Sequence, residues 1–224
     1  MTQVLPAIIP QSVEQMTEEI KKVSGFAKLV QIDISDGLFT PFKTWPYNGR
    51  DPDFFNSLVA QEIGWPKWEE LDIELHLMVK NPETVLEKWI STGISGVVVQ
   101  IEATDKMQHI INVCKSADIK VGIAIKPMTD IALLSPFVSQ IDFIQCMGSD
   151  MLGKHGVELD ESVLEKIKTL RQLYPERIIA VDIGVNEETA GELVLAGVNK
   201  LITGSTLLEA NNPEKIFRYL ESLC

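Results

Sequence analysis

Short apolar, β-branched runs recur along the chain at intervals of roughly 20 to 45 residues, the spacing that strand-helix units of a parallel sheet produce. Eight of them read as strands: Val4 to Ile9, Leu29 to Ile34, Asp72 to Leu77, Gly96 to Ile101, Lys120 to Ile125, Phe143 to Cys146, Ile178 to Val181 and Lys200 to Thr203. Between them, Ser12 to Val23, Pro82 to Thr92, Ser162 to Leu173 and Glu187 to Ala196 carry apolar residues three and four apart, as on one face of a helix. Eight such units in 224 residues predict an α/β fold, a single TIM (β/α)8 barrel occupying residues 1–224.

Local punctuation agrees with this division. Asn81-Pro82-Glu83 and Asn186-Glu187-Glu188 read as helix starts, while Thr92-Gly93 and Ala196-Gly197 read as helix ends that need a left-handed residue. The one long irregular stretch runs from Leu38 to Leu71 and holds Pro41, Pro46, Pro52 and Pro66 among Phe39, Phe42, Trp45, Tyr47, Trp65 and Trp68. A helix near Asp53 to Ile63 is expected to interrupt it. Its first half, following strand two, is expected to lie over the barrel mouth as a lid, because loops after strands build the working face of this fold. The competing reading packs its aromatics on the outer helices.

Charge narrows the partners. A formal net charge of -12 disfavours a nucleic-acid partner, which needs clustered Lys and Arg, yet leaves room for a small phosphorylated molecule held by backbone amides. Three cysteines without a C-x-x-C spacing (Cys114, Cys146, Cys224) point to buried, reduced thiols in a cytoplasmic protein. The segment Met1 to Pro6 lacks a basic region and its prolines interrupt the apolar run, so neither a secretory signal nor a membrane span is expected. A homo-oligomer stays open, with Trp65, Trp68 and Phe217 as candidates for its surface.

Chemistry gathers at strand ends. Side chains alternate along a strand, so Gln31 shares a face with Asp33, Glu74 with His76, and Ala180 with Asp182. If that face points inward, Asp33, His76 and Asp182 meet at the rim where a barrel carries its chemistry. Gly204-Ser205 after strand eight and Gly184 after strand seven can present amides to an anion. Gly153-Lys154-His155-Gly156 after strand six offers a turn with a cation. Asp36 is expected to orient the turn at Gly37, and His109 to sit on a helix surface.

These residues resemble the ribulose-phosphate 3-epimerase family, including its hexulose-phosphate relatives, from Pro6 to about Leu208. Ile32-Asp33-Ile34-Ser35-Asp36-Gly37-Leu38-Phe39-Thr40-Pro41 looks like the family's V-D-V-M-D-G-x-F-V-P, and His76-Leu77-Met78-Val79-Lys80-Asn81-Pro82-Glu83 matches H-L-M-V-x-N-P-E. Lys120-Val121-Gly122, Lys126-Pro127, Val181-Asp182 with Gly184, and Gly204-Ser205 follow in the expected order. The resemblance implies an isomerase that inverts C3 of a pentulose or hexulose phosphate through an enediolate, with Asp33 and Asp182 as the acid-base pair. It implies a divalent metal (Zn, Fe, Mn or Co) held by Asp33, His76, Asp182 and the residue at Gln31. It also implies substrate and phosphate contacts from Met78, Met147, Gly153, Lys154, Gly156, Gly184, Gly204 and Ser205.

Several positions depart from that pattern. The strand-two histidine ligand is Gln31, an amide that donates less well to transition metals than imidazole. The strand-one serines read Ala7 and Pro10, the methionine before D-G is Ser35, the strand-four histidine is Gln100, and D-G-G after strand seven reads Asp182-Ile183-Gly184. After strand six, the family's M-S-V-N-P-G-F-G-G-Q becomes Met147-Gly148-Ser149-Asp150-Met151-Leu152-Gly153-Lys154-His155-Gly156. The alternative these changes raise is a sugar-phosphate-binding barrel without turnover and with a degenerate metal site. A phosphate-binding decarboxylase ranks last, because no lysine stands between Asp33 and Asp36.

Overall fold

In a computed structural model, which describes residues 2–154 and 156–223, eight parallel strands close into a barrel in sequence order. The strands are β1 (Gln3–Ile8), β2 (Leu29–Ser35), β3 (Asp72–Met78), β4 (Gly96–Gln100), β5 (Lys120–Ile125), β6 (Phe143–Met147), β7 (Ile178–Asp182) and β8 (Lys200–Thr203), with β8 returning to pair with β1. The helices are α1 (Val13–Val23), α2 (Pro52–Val59), α3 (Leu86–Ile90), α4 (Met107–Ser116), α5 (Ser162–Leu173), α6 (Ala190–Ala196), α7 (Ser205–Leu208) and α8 (Pro213–Glu221). Each expected strand is present, within a residue or so of its expected ends. The crossover from β5 to β6 departs from the strand-helix rule, since a short 3-10 turn at Ile131–Leu134 replaces the helix.

The two faces of the strands do different work. Outward residues such as Ile32, Ile34, Leu75, Leu77, Val97, Val99, Ile123 and Val181 join the helices' apolar stripes in one continuous core. Each such side chain, fully buried, contributes roughly 1.5 to 3 kcal/mol relative to exposure. Inward residues form a smaller apolar cluster that includes Leu5, Ala7, Val98, Ala124, Phe143 and Ile202. The remaining inward positions are polar and buried: Gln31, Asp33, Glu74, His76, Gln100, Gln145, Asp182 and Lys200.

Capping explains some boundaries and corrects others. Ser12 caps α1 by accepting from the Gln15 amide at 3.2 Å, and Gly197 ends α6 at φ 119°, as the sequence suggests. Asn81 does not cap its helix; it is itself left-handed (φ 53°) and leads into a 3-10 turn at Pro82–Thr84, which shortens the following helix to α3. Asn186 accepts from the Glu188 and Thr189 amides at 2.8 and 3.0 Å and so forms the turn before α6. That helix therefore starts at Ala190 rather than near Glu187.

The segment after β2 divides. Phe39 packs against the barrel's inner cluster with Lys126 Nζ 4.8 Å above its ring, while Ser35 and Thr44 tie the loop back to its own strand. Trp45 instead sits fully buried on the outer layer, edge-on to Phe54, Phe55, Trp65 and Trp89. Both readings of these aromatics thus hold for part of the stretch. Trp65 and Phe217 are buried and offer no surface to a second subunit; of the three candidates only Trp68, 62% exposed, lies outside. Among the described residues, no helix is long and apolar enough to cross a membrane.

Candidate functional site

Register decides which side chains meet. Asp33 pairs with His76 across β2 and β3, and Asp182 ends β7 beside Met147 of β6. His76 Nδ1 lies 3.2 Å from Asp33 Oδ1 and 3.7 Å from Asp182 Oδ2, with His76 fully buried and both carboxylates nearly so. One ligand atom from each residue falls within 4.8 Å of the others, a cluster of the size a single cation spans.

The two carboxyls and the imidazole perturb one another strongly at this cluster. Burial, followed by the charge of Asp33, pushes the Asp182 carboxyl up to about 7. His76 is also raised: burial opposes its charge, but the Asp33 hydrogen bond and the charges of Asp33, Asp182 and Glu74 outweigh that penalty. Asp182 is further fixed by the backbone, since its Oδ1 accepts from the Ile183 amide at 2.8 Å. Ile183 stands at φ 75°, a strained setting for a β-branched residue. Gly148 is what admits that turn, because a Cβ there would meet the Ile183 carbonyl oxygen at 2.0 Å.

Two amides border the cluster, and each leaves its oxygen without a hydrogen-bond partner. Gln100 places Nε2 2.9 Å from His76 Nε2. A half-turn of that amide exchanges its nitrogen and oxygen, letting Oε1 accept from an Nε2–H and leaving the Nδ1 lone pair facing the carboxylates. Gln31 sits below, where its Nε2 donates to Glu74 Oε1 at 3.0 Å and Gln145 Oε1 at 3.1 Å while its own buried Oε1 is unpaired. The orphaned oxygen, two residues before Asp33 on the same inward face, matches what a fourth donor to a cation would need.

A cleft of about 200 Å³ runs from Asp33 and Asp182 toward Gly184, Gly204 and Ser205. Gly153, Lys154 and Gly156 line it from the β6 loop, and His155 lies outside the described residues. Gly184, at φ 74°, packs where a Cβ would lie 2.7 Å from the Leu159 backbone. Helix first-turn amides such as those of Ser205 and Thr206 have no acceptor within their helix. Met78 and Met147 do not line the cleft; both are buried in the inner apolar cluster. Asp36 accepts from the Leu38, Phe39 and Lys80 amides at 2.8, 3.0 and 2.9 Å, tying two mouth loops around Gly37. His109 is exposed on α4.

Sequence reasoning missed the tier under the cluster. Lys200 Nζ contacts both oxygens of Glu74 at 2.7 Å, with each residue at most 3% exposed, and it lies 4.0 Å from the Phe143 ring centroid. The pleat places Glu74 inward beneath His76, but Lys200, the first residue of its strand, reads as a solvent-facing end. Gln145 in an apolar run was the other signal.

Fold and site together define a (β/α)8 barrel with a carboxylate-imidazole-carboxylate cluster at the head of a small-molecule cleft. The chain belongs to the ribulose-phosphate 3 epimerase family, whose model matches residues 3–208. It is 27% identical over 221 residues to the ribulose-phosphate 3-epimerase of Bacillus subtilis, covering 96% of each chain. To that of Schizosaccharomyces pombe it is 31% identical over 154 residues, 69% of this chain and 67% of the other. Among solved structures it resembles 3-hexulose-6-phosphate synthase from Salmonella typhimurium, with a TM-score of 0.72 and 18% identity over 100% of this chain and 98% of that one. It also resembles a tryptophan synthase alpha-subunit from Pyrococcus furiosus, with a TM-score of 0.69 and 15% identity over 100% and 99% of the two chains. These two likenesses speak to the fold alone.

Proposed function

We propose that this chain is an epimerase that inverts C3 of a ketose phosphate through an enediolate. The observation that carries the reading is the pair of buried carboxylates, Asp33 and Asp182, flanking one imidazole at the inner end of a cleft whose other end offers amides at Gly184, Gly204 and Ser205. Inversion beside a carbonyl needs a base on one face of the carbon and an acid on the other, exchanging roles with the direction of reaction. Asp33 and Asp182, on opposite sides of His76, are the two groups placed to serve as base and acid. The phosphate is assigned to the far amides with Lys154 as its cation, fixing the distance from anchor to reacting carbon.

The residues present fit a divalent metal, with Asp33, His76 and Asp182 as ligands and the orphaned Gln31 Oε1 as the fourth donor. When bound, that ion supplies positive charge for the substrate oxygen that becomes anionic and relieves the repulsion of the two carboxylates. Three oxygens and one nitrogen favour Mn²⁺ over Zn²⁺ more than a two-imidazole set does. Solvent deuterium should enter C3 of D-ribulose 5-phosphate or a related ketose phosphate during incubation with the protein. No exchange with any of them sinks the proposal, and tight binding without exchange leaves the non-catalytic barrel.

A further inference from the structure

We propose that the buried Glu74–Lys200 ion pair, with Gln145, orients Gln31 so that its amide oxygen faces the metal site. The inference rests on the metal assignment above and extends it to residues that touch neither metal nor substrate. An amide side chain has two N–H donors and one acceptor oxygen, and turning it over exchanges them. Gln31 lies in register with Glu74, and the next inward residues along the two strands are Asp33 and His76, so the layer holding Gln31 and the ion pair adjoins the layer of the carboxylate-imidazole cluster.

Both neighbours on the lower side are acceptors. Glu74 holds both carboxylate oxygens on the Lys200 ammonium at 2.7 Å and presents Oε1 to Gln31 Nε2 at 3.0 Å. Gln145 presents Oε1 at 3.1 Å, and its own nitrogen is turned to the Met147 sulfur at 3.6 Å. The two N–H groups of Gln31 are thereby consumed, and turning the amide over would set its oxygen against a carboxylate. Lys200 keeps Glu74 an acceptor, because a salt-bridged carboxylate has no proton to give. The remaining polar atom, Gln31 Oε1, is buried and unpaired. A buried acceptor without a donor is costly, and a cation from the tier above removes that cost. Glu74, Lys200 and Gln145 are therefore positioning residues that act through Gln31.

The test is Mn²⁺ affinity by titration calorimetry on wild type, the double variant Glu74→Leu/Lys200→Met, Gln31→Ala, and the triple combination. Exchanging a buried ion pair for apolar residues of similar size generally leaves a fold intact, which thermal unfolding checks. Removing the pair should weaken Mn²⁺ binding by about 10- to 100-fold when Gln31 is present, the range for lost support of a metal ligand. In the Gln31→Ala background the same replacement should change affinity less than about 3-fold, so that the two effects are coupled. Gln145→Leu, which leaves the ion pair in place, should weaken binding in the same direction. The proposal falls if the double variant binds Mn²⁺ as wild type does, if its loss is the same with and without Gln31, or if wild type binds no Mn²⁺. Coupled Mn²⁺ affinities without C3 exchange would end the epimerase reading and leave this one standing; exchange with uncoupled affinities would do the reverse.

Discussion

With no metal bound, stability should fall as pH rises, opposite to the usual effect of a salt-bridged carboxylate. Asp182 is pushed from 3.8 up to about 7 in the folded chain, so between those values the folded state keeps a proton that the unfolded chain has released. Its contribution to stability is present below the unfolded value and is lost as pH climbs toward 7. Each pH unit in that window costs about 1.4 kcal/mol per proton, so the interval from pH 5 to 7 costs about 3 kcal/mol of a total that is typically about 5–15 kcal/mol. His76 adds to the same trend: its raised value preserves stability below 6.5 and gives it up as pH passes its folded value. Urea unfolding of chelator-treated protein at pH 5, 6, 7 and 8 measures the slope, and Asp182→Asn should flatten most of it. Added Mn²⁺ should reverse the trend, since ligands bind metal only when deprotonated. Equal slopes for wild type and Asp182→Asn without metal would refute the reasoning.

Gln31→His should raise Zn²⁺ affinity at least about 10-fold, since imidazole outbids an amide oxygen for that ion; unchanged zinc content by elemental analysis would show that Gln31 is not a ligand. Gln100→Met removes the hydrogen-bond partner of His76 Nε2 and should weaken Mn²⁺ binding by about 10-fold in calorimetry, and an unaltered isotherm would deny Gln100 that role. Gly184→Ala forces a Cβ to 2.7 Å from the Leu159 backbone at φ 74° and should cost about 2 kcal/mol or more in chemical denaturation; a neutral result would mean the loop relaxes freely. Burial pushes the Cys114 and Cys146 thiols up to about 12, so both should stay unmodified by a thiol reagent at pH 8 in the folded protein, as peptide mass mapping would show. Rapid labelling of either would contradict their burial.

The barrel was legible because its strands are apolar on the outward face and short enough to be counted. Asp33, His76 and Asp182 were legible because strand ends and the two-residue pleat place them on one rim. Boundaries at Asn81 and Ala190 were not, since left-handed turns and 3-10 segments follow from how each chain end meets its neighbour. That Met78 and Met147 lie in the inner apolar cluster was not legible for a related reason. A methionine beside a strand-end motif looks the same in sequence whether it faces the cleft or fills the barrel beneath it. Trp65 reads as an exposed aromatic in a proline-rich loop, and only the packing against Trp45 and the hydrogen bond from its Nε1 to the Thr92 carbonyl at 3.0 Å reveal it as core.

The polar tier changes the meaning of Gln31. Taken alone, glutamine for a ligating histidine is a loss of affinity, and drift in a disused site would explain it. Drift does not account for a buried Lys200, Glu74 and Gln145 around it, because apolar residues would fill the barrel floor with no ions to desolvate. Lys200 makes the point most directly: burial lowers its pKa, and Glu74 beside it opposes that loss of charge. The direction of the Gln31 amide is fixed by a chain of contacts, from Lys200 to Glu74 to the Gln31 nitrogen. The paired affinities of Gln31 and the ion pair, rather than metal content alone, therefore distinguish a metal shell built around an amide oxygen from a decayed one.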